Sequence, residues 1–217
     1  MGIYEALKRA EHERKDGNGG APPFAPAEEP SSIDAALREK LIATYRGIES
    51  AIPEQPCRVI GFVGAHAGEG TSTLAREFAK VAARDLGKRV ALIDAERGQG
   101  GHHAHFGAPL GANWEEALHD ASRPVEVVEP VAGGMLFLGC LSINGTPTTT
   151  VISQPGFPQV LARLRERFDL IVFDSPPGSA SSHALLLAPQ CDGMVLVIEA
   201  EKTRWQVAQN LQERLTA

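Results

Sequence analysis

The chain has 217 residues and a hydrophobic fraction of 43%, enough for one soluble-type globular domain with some extension. Its formal net charge of −6 gives no electrostatic case for binding nucleic acid or anionic lipid. No apolar run approaches the roughly 20 residues that span a bilayer, and the N-terminus has no apolar leader core. Cys57, Cys140 and Cys191 are scattered and odd in number, which fits a reducing cytoplasmic compartment and argues against a disulfide framework or a zinc site.

Residues 1–15 predict a short N-terminal helix with Ile3, Leu7 and Ala10 on one face, either a frayed end or a docking peptide. Residues 16–31, rich in Gly, Pro, Ala and Glu, read as a flexible linker. A domain is expected over 32–217. Its first helix spans Asp34 to Ser50, with Leu37, Leu41, Tyr45 and Ile48 on one stripe and Ser32 as the expected N-cap. Pro53 and Pro56 end it.

From there strands and helices alternate. Val59 to Val63 is a buried strand, and Leu74, Phe78, Ala82 and Leu86 mark the helix after it. Arg89 to Ile93 is the next strand, running into Asp94. A glycine- and histidine-rich loop is expected over 97–114, then a short helix near Trp114 to Leu118 and a strand at Met135 to Leu138. A second loop covers 142–156, and Phe157, Leu161, Leu164 and Phe168 mark a helix. Leu170 to Phe173 is the most apolar strand and ends at Asp174. Gly193 to Ile198 is a further strand, and Thr203 to Leu215 a closing helix. The alternation predicts an α/β fold with a doubly wound, mostly parallel sheet and helices on both faces. A sheet of this type usually continues with another strand, so the last strand is either missing or the sheet is smaller than usual.

Three chemical signals fall at the carboxyl ends of predicted strands, where open α/β sheets bind ligands. The first is the glycine loop after Val63, with Gly64, Gly68 and Gly70. Glycines let backbone N–H groups approach an anion, and the following helix N-terminus adds unsatisfied donors. The stretch reads as a P-loop in which Thr71 stands where lysine is expected. Ser72 and Thr73 follow, supplying one hydroxyl for Mg²⁺ and one for a phosphate. Asp94 and Asp174 are the other two signals, carboxylates of the kind that hold Mg²⁺ or its water. His102, His103 and His105 invite a metal reading, but no Cys or acidic residue sits at ligand spacing, so a solvated loop is expected. Trp205 reads as a half-buried packing residue rather than a contact surface.

The sequence Phe168-Asp169-Leu170-Ile171-Val172-Phe173-Asp174-Ser175-Pro176-Pro177 resembles the Walker B segment of the bacterial tyrosine kinases of the capsule and exopolysaccharide type. These belong to the MinD/ParA-like group of P-loop ATPases. Gly68-Glu69-Gly70-Thr71-Ser72-Thr73 resembles their Walker A loop, and Val90 to Arg97 their second acidic motif, with Glu96 in place of its second Asp. Residues 191–197 and 201–203 resemble the segment after Walker B, and Ile3 to Glu11 the start of many such proteins. The resemblance implies ATP or ADP and Mg²⁺ as cofactors. Backbone N–H groups of Gly68, Gly70, Thr71, Ser72 and Thr73 would cradle phosphates, and Ser72, Asp94 and Asp174 would form the metal site. Asp94 and Asp174 would be the catalytic pair, with Asp94 activating the incoming hydroxyl.

By the same resemblance the partner is a transmembrane polysaccharide chain-length regulator, met at the inner face of the membrane. Ring-shaped homo-oligomers form through a Glu-x-x-Arg-x-x-Arg motif, which here falls on Ala43, Arg46 and Glu49, so only the middle arginine is kept. The family's C-terminal tyrosine cluster has no counterpart, since Tyr4 and Tyr45 both precede the loop. Two readings follow. One is an ATP-binding protein of exopolysaccharide biosynthesis that transfers phosphate to protein tyrosine. The alternative is a catalytically impaired nucleotide-binding regulator or scaffold of the export machinery. A partitioning ATPase of MinD/ParA type is less favoured, because the early loop positions are Gly64, Ala65 and His66 rather than a second lysine.

Overall fold

The structure, a computed structural model, describes residues 34–95, 101–108, 114–119, 128–131, 134–141, 146–178 and 182–216. The expected N-terminal helix, the linker, Glu96 and Arg97 lie outside the described residues. Helix α1 covers Ala35–Ala51, β1 Arg58–Gly64, α2 Thr71–Arg84 and β2 Val90–Asp94. Then come α3 at Gly101–Phe106, α4 at Trp114–His119, β3 at Val128–Pro130 and β4 at Leu136–Cys140. Helix α5 is Thr148–Ile152, α6 Phe157–Arg167, β5 Leu170–Ser175, α7 His183–Leu187, β6 Gly193–Val197 and α8 Trp205–Thr216.

The strands form one sheet in the order β3-β4-β2-β5-β1-β6. All neighbouring pairs are parallel except β3 with β4. Beta-branched and leucine runs suit strands covered on both faces, and alternation sends their side chains to opposite layers. Ile171 and Phe173 of β5 pack with Trp114, Val151, Phe157 and Leu164, so α4 to α6 cover one face. Leu170 and Val172 pack with Leu41, Tyr45 and Phe78, so α1 and α2 cover the other. Tyr45 and Phe62 both meet the Phe78 ring, at centroid separations of 5.9 and 5.2 Å. Such ring pairs contribute about 0.5–1.5 kcal/mol each beyond their buried area.

Several expectations are corrected. Asp34, not Ser32, is the N-cap of α1, its carboxylate accepting from the Ala36 N–H at 3.3 Å. The expected loop over 97–114 contains α3, and that over 142–156 contains α5. Strand β3 and helix α7 are too short to show a period in sequence. Trp205 is 67% exposed rather than half-buried.

The amino edge of the sheet is tied by Asp192. Its Oδ2 accepts from the Val59 N–H at 2.6 Å, and Arg165 grips both carboxylate oxygens at 2.9 and 3.0 Å. Burial pushes this carboxyl up, but hydrogen bonds from Arg165, Val59 and Gln55 outweigh it and hold the group below the usual range. A depressed folded value stabilises the fold above the unfolded value and loses that contribution as pH falls through the folded one. Asp192→Asn is therefore expected to flatten the fall of melting temperature below about pH 4, where aspartate titrates in the unfolded chain. Thermal melts of both proteins across the acid range check this; parallel curves would remove Asp192 as a source of acid sensitivity.

Candidate nucleotide site at the carboxyl edge of the sheet

Strand β1 ends at Gly64, and the chain turns through the loop into α2. Gly68 and Gly70 hold φ values of 86° and 82°. Side chains beyond glycine pay a steric cost there. Gly70 is the N-cap of α2, and the helix has neither a side-chain cap nor an acid in its first turn. The donors of that turn are thus left for an outside anion. A Cβ on Gly64 would stand 2.5 Å from Thr71 Oγ1 and 3.2 Å from the His66 carbonyl oxygen. The Thr71 hydroxyl therefore lies folded over the floor of the loop.

Glu69 braces the loop from within. It accepts from the His66 N–H at 2.8 Å and from the Thr203 hydroxyl. Burial raises its carboxyl, but the bonds from Thr203, His66, Ala65 and Glu199 together bring it below the usual range. The loop is also tied to the turn after β5, where the Gly178 N–H donates to the Gly64 carbonyl at 2.9 Å. Leu211 of α8 packs so closely on Gly178 that a Cβ there would meet its Cδ1 at 2.5 Å. Glu69 and Thr203 are 134 residues apart, and no spacing in the sequence announces their contact.

The sheet order puts β5 between β1 and β2, so the three signals sit on three adjacent strands. Asp94 and Asp174 are register partners, and Asp174 is also the partner of Phe62. Neighbouring strands lie about 4.8 Å apart. Both carboxylates are buried, at 5% and 3% exposure. The Gly101 N–H donates to Asp94 Oδ2 at 3.1 Å, and His102 Nε2 lies 2.9 Å from Asp174 Oδ2. Thr71 and Ser72 are half-buried in the first turn of α2, while Gly68, Gly70 and Thr73 are exposed.

The histidine segment is the main correction. His102 and His103 are both 1% exposed on a helix, not in a solvated loop. The acidic partner missing at ligand spacing comes from a strand 72 residues away. Burial, with His102 next to it, pulls the His103 imidazole below its ordinary value. On α1, Arg46 is engaged by Glu49 at 2.8 Å, so the surviving arginine of the oligomer motif bonds within its own helix.

Sheet order, loop and flanking carboxylates together define an α/β protein of P-loop NTPase type. No family model matches the chain. Among curated relatives it is 28% identical over 189 residues to the tyrosine-protein kinase YwqD of Bacillus subtilis (strain 168), covering 86% of this chain and 77% of that protein. It is 27% identical over 183 residues to the succinoglycan biosynthesis transport protein ExoP of Rhizobium meliloti (strain 1021), covering 81% of this chain but 23% of ExoP. The solved kinase domain of the Escherichia coli tyrosine kinase ETK superposes with a TM-score of 0.74 at 20% identity, over 85% of this chain and 71% of that one. The last likeness shows the fold. The named relatives bear out the resemblance to bacterial tyrosine kinases of exopolysaccharide type.

Proposed function

We propose that this chain binds a magnesium nucleotide at the carboxyl edge of its sheet and acts in exopolysaccharide biosynthesis, with phosphoryl transfer to protein tyrosine as its reaction. The observation that carries the reading is the adjacency of the loop, Asp174 and Asp94 on β1, β5 and β2. The donor set fits Mg²⁺, which takes oxygen ligands and keeps several waters. Ser72, Asp94 and Asp174 supply oxygens, and Asp174 Oδ1 is a buried acceptor with no partner among the described residues. Backbone donors from Gly68 to Thr73 receive the phosphates. When bound, the metal would neutralise charge on the phosphates and on the group being transferred. Asp94 accepts the proton of the attacking hydroxyl.

Thr71 carries no charge to place against the transferring group. Loss of one such donor typically costs on the order of 10²–10³ in rate. Slow transfer is therefore part of the reading. Tyr45 is not the acceptor, because it is 4% exposed inside the core. Burial, then Glu49 beside it, pushes its phenol up to about 12. Of the two tyrosines in this sequence, Tyr4 is left as a candidate acceptor. No helix among the described residues is long and apolar enough to cross a membrane. By resemblance, a transmembrane chain-length regulator would bring the protein to the cytoplasmic face.

Thr71 also favours the second reading, a nucleotide-binding regulator or scaffold without transfer. Equilibrium titration with ATP and ADP, each with and without Mg²⁺, tests the shared part. Micromolar binding that Mg²⁺ strengthens is expected. No binding at millimolar nucleotide would sink both forms of the proposal.

A further inference from the structure

The geometry points to His102 as a positioning residue of this site: it holds one oxygen of Asp174 and leaves the other for the shell of the metal. The inference rests on the nucleotide-binding reading. The imidazole and the carboxylate are both buried, and His102 Nε2 meets Asp174 Oδ2 at 2.9 Å. A carboxylate oxygen only accepts, so Nε2 carries the proton. Carboxylate torsions are otherwise broad. One hydrogen bond from a packed ring removes that freedom, and Oδ1 stays unpartnered among the described residues.

Asp94 is fastened by the preceding residue, through the Gly101 N–H at 3.1 Å. Consecutive residues of α3 thus reach both carboxylates of the pair. The helix is anchored beyond them, with His103 buried and its carbonyl accepting from the Ala108 N–H at 2.9 Å. Gly101 is not demanded by space, since a Cβ there would stand 3.7 Å from Asp94 Oδ2. The contact made by the His102 ring is the specific element.

Groups that orient metal ligands from outside typically cost 10–100-fold in metal affinity when removed. His102→Ala is expected to weaken Mn²⁺ binding to the ADP-loaded protein by about 10–100-fold, read from the EPR signal of free Mn²⁺. ADP affinity without metal should not change. His102→Gln, whose amide can donate to the same oxygen, should regain most of the loss. His102→Leu keeps the buried volume without a donor and replaces the alanine variant if its cavity prevents folding.

Wild-type Mn²⁺ affinity in the folded Ala or Leu variant overturns the inference and leaves the nucleotide reading standing. Weakening that appears equally without metal, or that Gln does not rescue, reduces His102 to a packing residue. Wild-type protein that binds no Mn²⁺ with ADP overturns both.

Discussion

Thr71→Lys is expected to raise phosphoryl transfer by on the order of 10²–10³-fold, the usual worth of a donor aimed at developing charge. Helical Cα–Cβ bonds tilt toward the N-terminus, so the first residue of α2 overhangs the loop before it. The structure bears this out for the present side chain, since Thr71 Oγ1 sits against Gly64. A lysine there starts from the same Cβ, and its stem reaches over the loop toward the anion position. ATP affinity should tighten as well, by roughly 10–100-fold, because hydrogen bonds to charged groups contribute about 1.5–3 kcal/mol. Thr71→Met separates charge from chain length. The measurement is the initial rate of ATP hydrolysis and of phosphorylation of a tyrosine-containing peptide. If lysine and methionine behave alike, the loop is not where charge is stabilised, and the regulator reading gains.

The second large effect is expected at Asp94. Asp94→Asn keeps the shape and removes the charge of one of two buried carboxylates on neighbouring strands. Like charges on neighbouring strands repel each other while the site is empty of cation. The ligand-free variant should therefore melt at the wild-type temperature or above it. Its response to Mg²⁺ with ADP should vanish. A ligand at about 100 times its Kd stabilises a fold by ~2.7 kcal/mol, so the wild-type shift is readily seen in a thermal melt. A variant that keeps the full Mg²⁺-dependent shift would remove Asp94 from the metal site and leave Asp174 to be tested alone. The pairing of retained stability with lost response distinguishes a ligand from a core residue, whose loss would lower the melt in both conditions.

Long apolar segments were legible without the structure, as were the short α4 and β4, but α3, β3, α5 and α7 were not. The helix over Leu74 to Leu86 shows its period because its apolar stripe faces a sheet, and α2 is found at Thr71–Arg84. Helix α3 carries His102 and His103 where a buried stripe would normally carry leucine, so its composition reads as a polar loop. The partner of the His102 ring, Asp174, comes from a strand 72 residues further along the chain. Trp205 errs in the opposite direction, an aromatic residue that the fold leaves outside.

By itself the sequence determined the succession of strands and helices, the glycine loop, and the placing of Asp94 and Asp174 at strand ends. Those are local matters of apolar runs, backbone freedom and turn chemistry, carried by neighbouring residues. The tertiary structure alone decided that β5 lies between β1 and β2, which turns three separate signals into one site. It alone brought His102 to Asp174 and Thr203 to Glu69, across 72 and 134 residues. Lateral strand order is set by which sheet faces the helices can cover together, and hydrogen bonds between distant residues form only once that order exists. Neither quantity is written in the spacing of residues along the chain.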